Sequence, residues 1–239
     1  MSSKIERKQV AIPTYPIGNA EPLPLFFEKR PYQGASGRLY PIPYVTNFSD
    51  EKVDVNYDMV TLENDYIKVD LLPEIGGKIN RAYDKTNGYD FIYYNKVIKP
   101  AMVGLAGPWV SGGIEFNWPQ HHRPTTFMPT DVEIGENGKE KFAYMGEIDY
   151  FHNMKGMVKV SVDDDHSYVK ASITVYNCTS ESHPFMWWAN LAVEVNDDYK
   201  VVFPPDVEYV NDHDRRAVLE WPVASHMYPN VHCNTVYNS

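Results

Sequence analysis

The groups able to do chemistry are concentrated in one stretch, Gly107-Pro108-Trp109-Val110-Ser111-Gly112-Gly113-Ile114-Glu115-Phe116-Asn117-Trp118-Pro119-Gln120-His121-His122-Arg123-Pro124. If Ile114 to Trp118 is a strand, its period of two puts Glu115 and Asn117 on one face and Phe116 and Trp118 on the other. A carboxylate beside an amide suits recognition of hydroxyl groups. The adjacent imidazoles of His121 and His122 follow Pro119 in a loop, where binding residues concentrate. Glu115, His121 and His122 are therefore candidate catalytic groups, and Trp109, Asn117, Trp118 and Arg123 candidate substrate contacts. The glycines of this stretch are expected to let the backbone approach a ligand closely.

Two further segments extend the set. In Met145-Gly146-Glu147-Ile148-Asp149-Tyr150-Phe151-His152 an extended chain carries Glu147 and Asp149 on one face. Paired carboxylates can divide acid and base roles, so both join the catalytic candidates and His152 the binding ones. In an acidic protein the same pair also reads as an exposed sheet face. In Phe185-Met186-Trp187-Trp188-Ala189-Asn190-Leu191 the adjacent indoles of Trp187 and Trp188 point to opposite faces. One can pack while the other lines a cleft in which a sugar ring stacks; two half-buried core indoles are the alternative.

This combination points to carbohydrate chemistry. Mutarotation needs a base for the anomeric hydroxyl and an acid for the ring oxygen, whereas glycoside hydrolysis needs two carboxyls roughly 5 to 9.5 Å apart. Glu115 with Glu147 or Asp149 would supply the carboxyls, and His121 or His122 the acid, with Arg123 or Lys155 at the rim. A glycoside hydrolase is placed slightly ahead of an aldose epimerase. The rival is a non-catalytic carbohydrate-binding or scaffold domain using the same indoles and Asn117. No cofactor is expected: GxGxxG, Walker and GxSxG motifs are absent from the sequence, as are HExxH and EF-hand spacings, so no metal is expected either.

The elements that must position these groups are strands. Val169, Ala171, Ile173 and Val175 alternate with Lys170, Ser172 and Thr174, as a half-buried strand requires. Similar short runs occur at residues 66–72, 157–162, 187–195 and 201–203, separated by turn signals at Thr86-Asn87-Gly88, Glu136-Asn137-Gly138 and Asp163-Asp164-Asp165. Frequent short strands predict an all-β, antiparallel sandwich or barrel. Residues 1–48 hold Pro13, Pro16, Pro22, Pro24, Pro31, Pro41 and Pro43 and are expected to form an extended lead-in, with the sandwich over 49–239. The polar, strand-like residues 228–239 carry no closing signal, so the chain is expected to be a fragment of a larger sheet.

Composition narrows the partners. The 239 residues carry 32 Asp and Glu against 22 Lys and Arg, a net charge of −10 that repels nucleic acid and anionic membrane surfaces. No apolar run approaches the roughly 18 residues of a membrane span. Cys178 and Cys233 are too few for a disulfide framework, and the chain reads as cytoplasmic.

Several of these segments carry a family resemblance. Leu71-Leu72-Pro73-Glu74-Ile75-Gly76-Gly77-Lys78, Asp84-Lys85-Thr86-Asn87, Pro100 to Gly107, the run Gly112 to Pro124 and Phe203-Pro204-Pro205-Asp206 resemble an uncharacterised bacterial family known only as a domain of unknown function. The resemblance covers almost the whole chain. It implies a galactose-mutarotase-like supersandwich, often followed by tetratricopeptide repeats in longer proteins, and hence a small-molecule carbohydrate as ligand. Aldose epimerases are similar around Trp187 to Leu191, yet Met186 stands where they carry a catalytic histidine. A thioether cannot protonate a ring oxygen.

Overall fold

A computed structural model describes residues 2–26, 38–119, 122–212 and 217–221. Among these, strands alternate with turns and no helix occurs. The strands are β1 (Lys4–Thr14), β2 (Val53–Glu63), β3 (Ile67–Leu72), β4 (Lys78–Asp84), β5 (Tyr89–Asp90), β6 (Pro100–Gly104), β7 (Gly107–Val110) and β8 (Ile114–Asn117). They continue as β9 (Asp131–Asn137), β10 (Glu140–Ile148), β11 (Met154–Asp163), β12 (Lys170–Asn177), β13 (Trp188–Leu191), β14 (Tyr209–Asp212) and β15 (Ala217–Glu220). The chain divides into two compact units, Met1–Glu194 and Val195–Ser239.

The first unit is an all-β antiparallel sandwich. One sheet runs β1-β2-β3-β4-β8-β13, with β5 on β4, and the other runs β12-β11-β10-β9. Between them lies an apolar cluster built from alternate residues of both sheets: Val60, Leu62, Val69, Leu71, Ile79 and Phe116 from one, Ala143, Met145, Val158, Val160 and Val162 from the other. Burying each large aliphatic side chain contributes about 1.5–3 kcal/mol, which fixes the register because a one-residue slip would turn each strand's apolar set to water. A second apolar cluster, including Ile12, Tyr57, Met59, Leu72, Ile98 and Val110, lies on the opposite face of the larger sheet, where the β6–β7 hairpin folds across it. That covered outer face is where Glu115 lies.

The proline-spaced start does more than wrap. Residues 4–14 form an eleven-residue strand in unbroken register with β2, from Lys4 opposite Glu63 to Thr14 opposite Val53. Pro13 is tolerated because β1 is an edge strand. Ser3 anchors its start, donating its backbone N–H to Asp164 Oδ1 at 2.6 Å and its hydroxyl to Lys139 O at 2.9 Å. Asn64 closes the β2–β3 turn by accepting the N–H groups of Tyr66 and Ile67, and donates across to the carbonyls of Asp163 and His166. Turns of the two sheets are thus tied by one fully bonded amide.

Two strand expectations change. Lys170 to Asn177 is a strand, but it is an edge strand, and of its alternating apolar face only Val169 packs against the core while Ile173 stays 36% exposed. Residues 201–203, read as a strand, are irregular: Pro204 and Pro205 follow directly and have no N–H to extend a ladder. In the second unit β14 and β15 pair antiparallel, and the rings of Phe203 and Trp221 meet at a tilt of 53° with centroids 4.6 Å apart.

Candidate functional site

Strand β8 is short, but it holds the centre of the polar cluster because it pairs with both β4 and β13. Its alternation works as the sequence requires: Phe116 enters the core, and Glu115 and Asn117 face the other way, 7% and 0% exposed. Glu115 sits among donors. Trp109 Nε1 donates to its Oε2 at 3.1 Å, and His122 Nδ1 lies 3.3 Å from its Oε1. Burial opposes ionisation of Glu115, yet the hydrogen bonds of His122, Trp109 and Asn117 hold its carboxyl below the usual carboxylate range. It is therefore an anion at neutral pH, fit to accept a proton or orient a donor and unfit to serve as a general acid.

His122 carries the site outward. Its ring is 25% exposed, meets Trp188 edge-on at 5.2 Å, and lies 3.4 Å from the amide nitrogen of Asn190 across the β8–β13 pair, where Asn190 stands opposite Glu115. Nδ1 faces both the Glu115 carboxylate and the Asn190 amide nitrogen; when it donates to the carboxylate, proton exchange with a ligand falls to Nε2. Trp187 takes the other role. It stacks on Phe116 at 6.2 Å and packs against the core, so of the two adjacent indoles Trp188 is the one beside His122.

Lysine 78 belongs to the same cluster and was not a candidate in the sequence. Its side chain is 4% exposed; Nζ donates to the carbonyls of Val110 and Ser111, both at 3.1 Å. Burial pushes its ammonium down to about 8, against the opposing pull of the Glu115 charge. The only sequence signal is its place: a cation directly after Gly76-Gly77 and before Ile79, in a run from Leu71 to Ile79 whose only other charge is Glu74.

The glycines serve packing rather than a ligand. Gly113 has φ +69°, and a Cβ there would lie 2.0 Å from Ile79 O and 3.2 Å from Lys78 Cε. At Gly107, φ +106°, a Cβ would lie 1.9 Å from Val45 O. The close approaches they permit are of backbone to backbone, and at Gly113 they also let Lys78 pass beneath the turn it caps.

Several expected site residues are placed elsewhere. Trp118 is 3% exposed in the core, with Arg123 stacked 4.1 Å over its ring, so it offers no platform to a sugar. Arg123, expected at a rim, is buried: it donates to Phe116 O and Gly76 O and pairs with Glu147 at 2.9 Å, while its backbone N–H goes to Asn117 Oδ1. That captures Glu147, which also accepts from Thr125. Asp149 is consumed by its own turn, accepting the backbone N–H of Phe151 and His152 and lying 3.0 Å from His152 Nδ1. No second carboxylate is thus seen facing Glu115 among the described residues. His152 sits beside His183, ring centroids 6.1 Å apart, and Lys155 lies on the outer face of the other sheet. His121 lies outside the described residues, as does Cys233. No three His, Cys, Asp or Glu side chains converge as a metal site requires among the described residues.

Comparison with known proteins adds two findings. A family model described as a domain of unknown function, DUF5107, matches residues 35–234. The crystal structure of a TPR-domain containing protein from Parabacteroides distasonis is similar, with TM-score 0.73 and 26% identity over 82% of this chain. The match spans 33% of that protein's chain, so the present sequence covers about a third of its length.

Proposed function

We propose, for a chain that belongs to the DUF5107 family of unknown function, that the outer face of its larger sheet binds a carbohydrate, with His122 as proton carrier. The observation that carries this reading is the Glu115–His122 pair beside Trp188 and Asn190. A buried anion faces the imidazole at Nδ1, Trp188 meets the ring in a T-shaped contact, and the exposed Asn190 amide lies 3.4 Å from the same Nδ1. General acid–base catalysis by such a positioned imidazole is worth about 10²–10⁴-fold. With Glu147 held by Arg123 and Asp149 by its turn, no second carboxyl faces Glu115 among the described residues, as the two-carboxylate route of glycoside hydrolysis requires. Proton transfer at an aldose, the epimerase-like reaction, is therefore favoured over hydrolysis.

A non-catalytic sugar-binding domain is the second reading. It is favoured by the way both Glu115 oxygens are already engaged by Trp109 and His122, as in a structural carboxylate. The likeness to a TPR-domain containing protein supports a domain that works beside tetratricopeptide repeats in longer chains.

Titration calorimetry over free aldoses and aryl glycosides tests the shared claim. Binding of at least one sugar is expected, weakened roughly tenfold, or about 1.4 kcal/mol, in Trp188→Ala. Absence of heat with every member of the panel would remove carbohydrate from the reading.

A further inference from the structure

The four-stranded sheet carries a second feature, on the face turned away from the core. A groove of ≈ 360 Å³ is lined by Asp131 and Glu133 of β9, Tyr144 and Gly146 of β10, and Lys155 and Met157 of β11. Its origin lies in the register. Gly146 stands opposite both Asp131 and Met157, so the central strand has no side chain where its neighbours have one. Tyr144, the next residue on the same face, forms a wall and is braced by Phe142, whose ring meets it at 5.2 Å, and by Lys159 over both rings.

The charges around this trough are arranged by sign. Asp131 and Glu133 stand on one side and Lys155 on the other, separated by two strand spacings, about 10 Å. None of the three has an ion pair or side-chain hydrogen bond among the described residues. Elsewhere on the sheet, opposite charges do find each other: Lys159 pairs with Glu140, and Lys141 with Glu136 at 2.5 Å. Facing unpaired charges across a concave floor make an electrostatic field that a ligand with one charge at each end can satisfy.

We propose that this groove binds a small zwitterion of dipeptide size. Its ammonium lies toward Asp131 and Glu133, its carboxylate toward Lys155, and its apolar body over Gly146 and Met157 against the Tyr144 ring. A neutral sugar would use the tyrosine and the hydroxyl acceptors but would gain nothing from the sign separation. The inference concerns the sheet opposite to the one holding Glu115 and stands apart from the function proposed there.

The test uses leucylglycine as probe, followed by the backbone amide shifts of Gly146 and Met157 in the full chain. The expected result is saturable shifts with a dissociation constant on the order of 1 mM. N-acetyl-leucylglycine and leucylglycinamide, each lacking one charge, should bind roughly tenfold more weakly. Lys155→Gln should weaken leucylglycine to the level of the amide and leave the amide itself unchanged. That coupling separates a carboxylate contact from a general loss of structure. No saturable shift, equal affinity for the capped and uncapped probes, or equal affinity for a neutral disaccharide would each overturn the assignment.

Discussion

Glu115→Gln is expected to lower turnover of a sugar substrate by about 10²–10⁴-fold while leaving its binding within a few-fold of the parent. The two side chains have the same shape, so Trp109 and His122 keep their packing. What changes is which nitrogen of His122 bears the proton. A carboxylate at Glu115 can only accept from Nδ1, whereas a glutamine amide at that place can donate to it, and the proton then resides on Nε2. An imidazole in that tautomer cannot take a proton from the ligand. Steady-state kinetics on the sugar identified by calorimetry would read the effect as a fall in kcat with little change in KM. If affinity falls with turnover in the same proportion, Glu115 binds ligand and does not set the proton carrier.

Lys78→Met is expected to erase a pH dependence of stability. An unfolded lysine keeps its proton to about 10.5, whereas Lys78 in the folded chain begins to lose it near 8. Between those values the unfolded state binds more protons, so the contribution of Lys78 to stability rises with pH; below 8 the burial penalty is present in full. The span corresponds to about 3 kcal/mol. Methionine fills similar space without a charge. The difference in unfolding free energy between parent and variant should therefore grow by about 3 kcal/mol in the parent's favour from pH 8 to 10.5. Tyr57 and Tyr94, raised by burial, act in the opposite sense at higher pH, but they are common to both proteins and cancel. A flat difference would mean that Lys78 titrates like a surface lysine.

The residues that were legible in the sequence are those whose surroundings are set by their own strand. Period two alone puts Glu115 and Asn117 opposite Phe116, and separates Trp187 from Trp188. The same alternation gives the buried face of β11. What could not be read depends on partners far along the chain. Nothing near Glu147 announces Arg123, 24 positions before it, as its captor. Lys78 looks like any strand lysine until the turn at Val110 and Ser111 closes over it. The apolar face of β12 alternates as well as that of β11, and only the neighbouring strands decide that one is central and the other an edge. The glycine cluster misled for a related reason: glycine permits close approach, but the sequence does not say of what.

Exchange spectroscopy on the bound sugar reads whether His122 carries the proton. With the wild-type chain, cross-peaks between the anomers of one aldose are expected at a rate above that in buffer, and His122→Asn should keep binding while returning the rate to that of buffer. Anomer exchange that continues undiminished in His122→Asn would contradict the account, because the proton would then be carried by a group other than the imidazole that Glu115 holds.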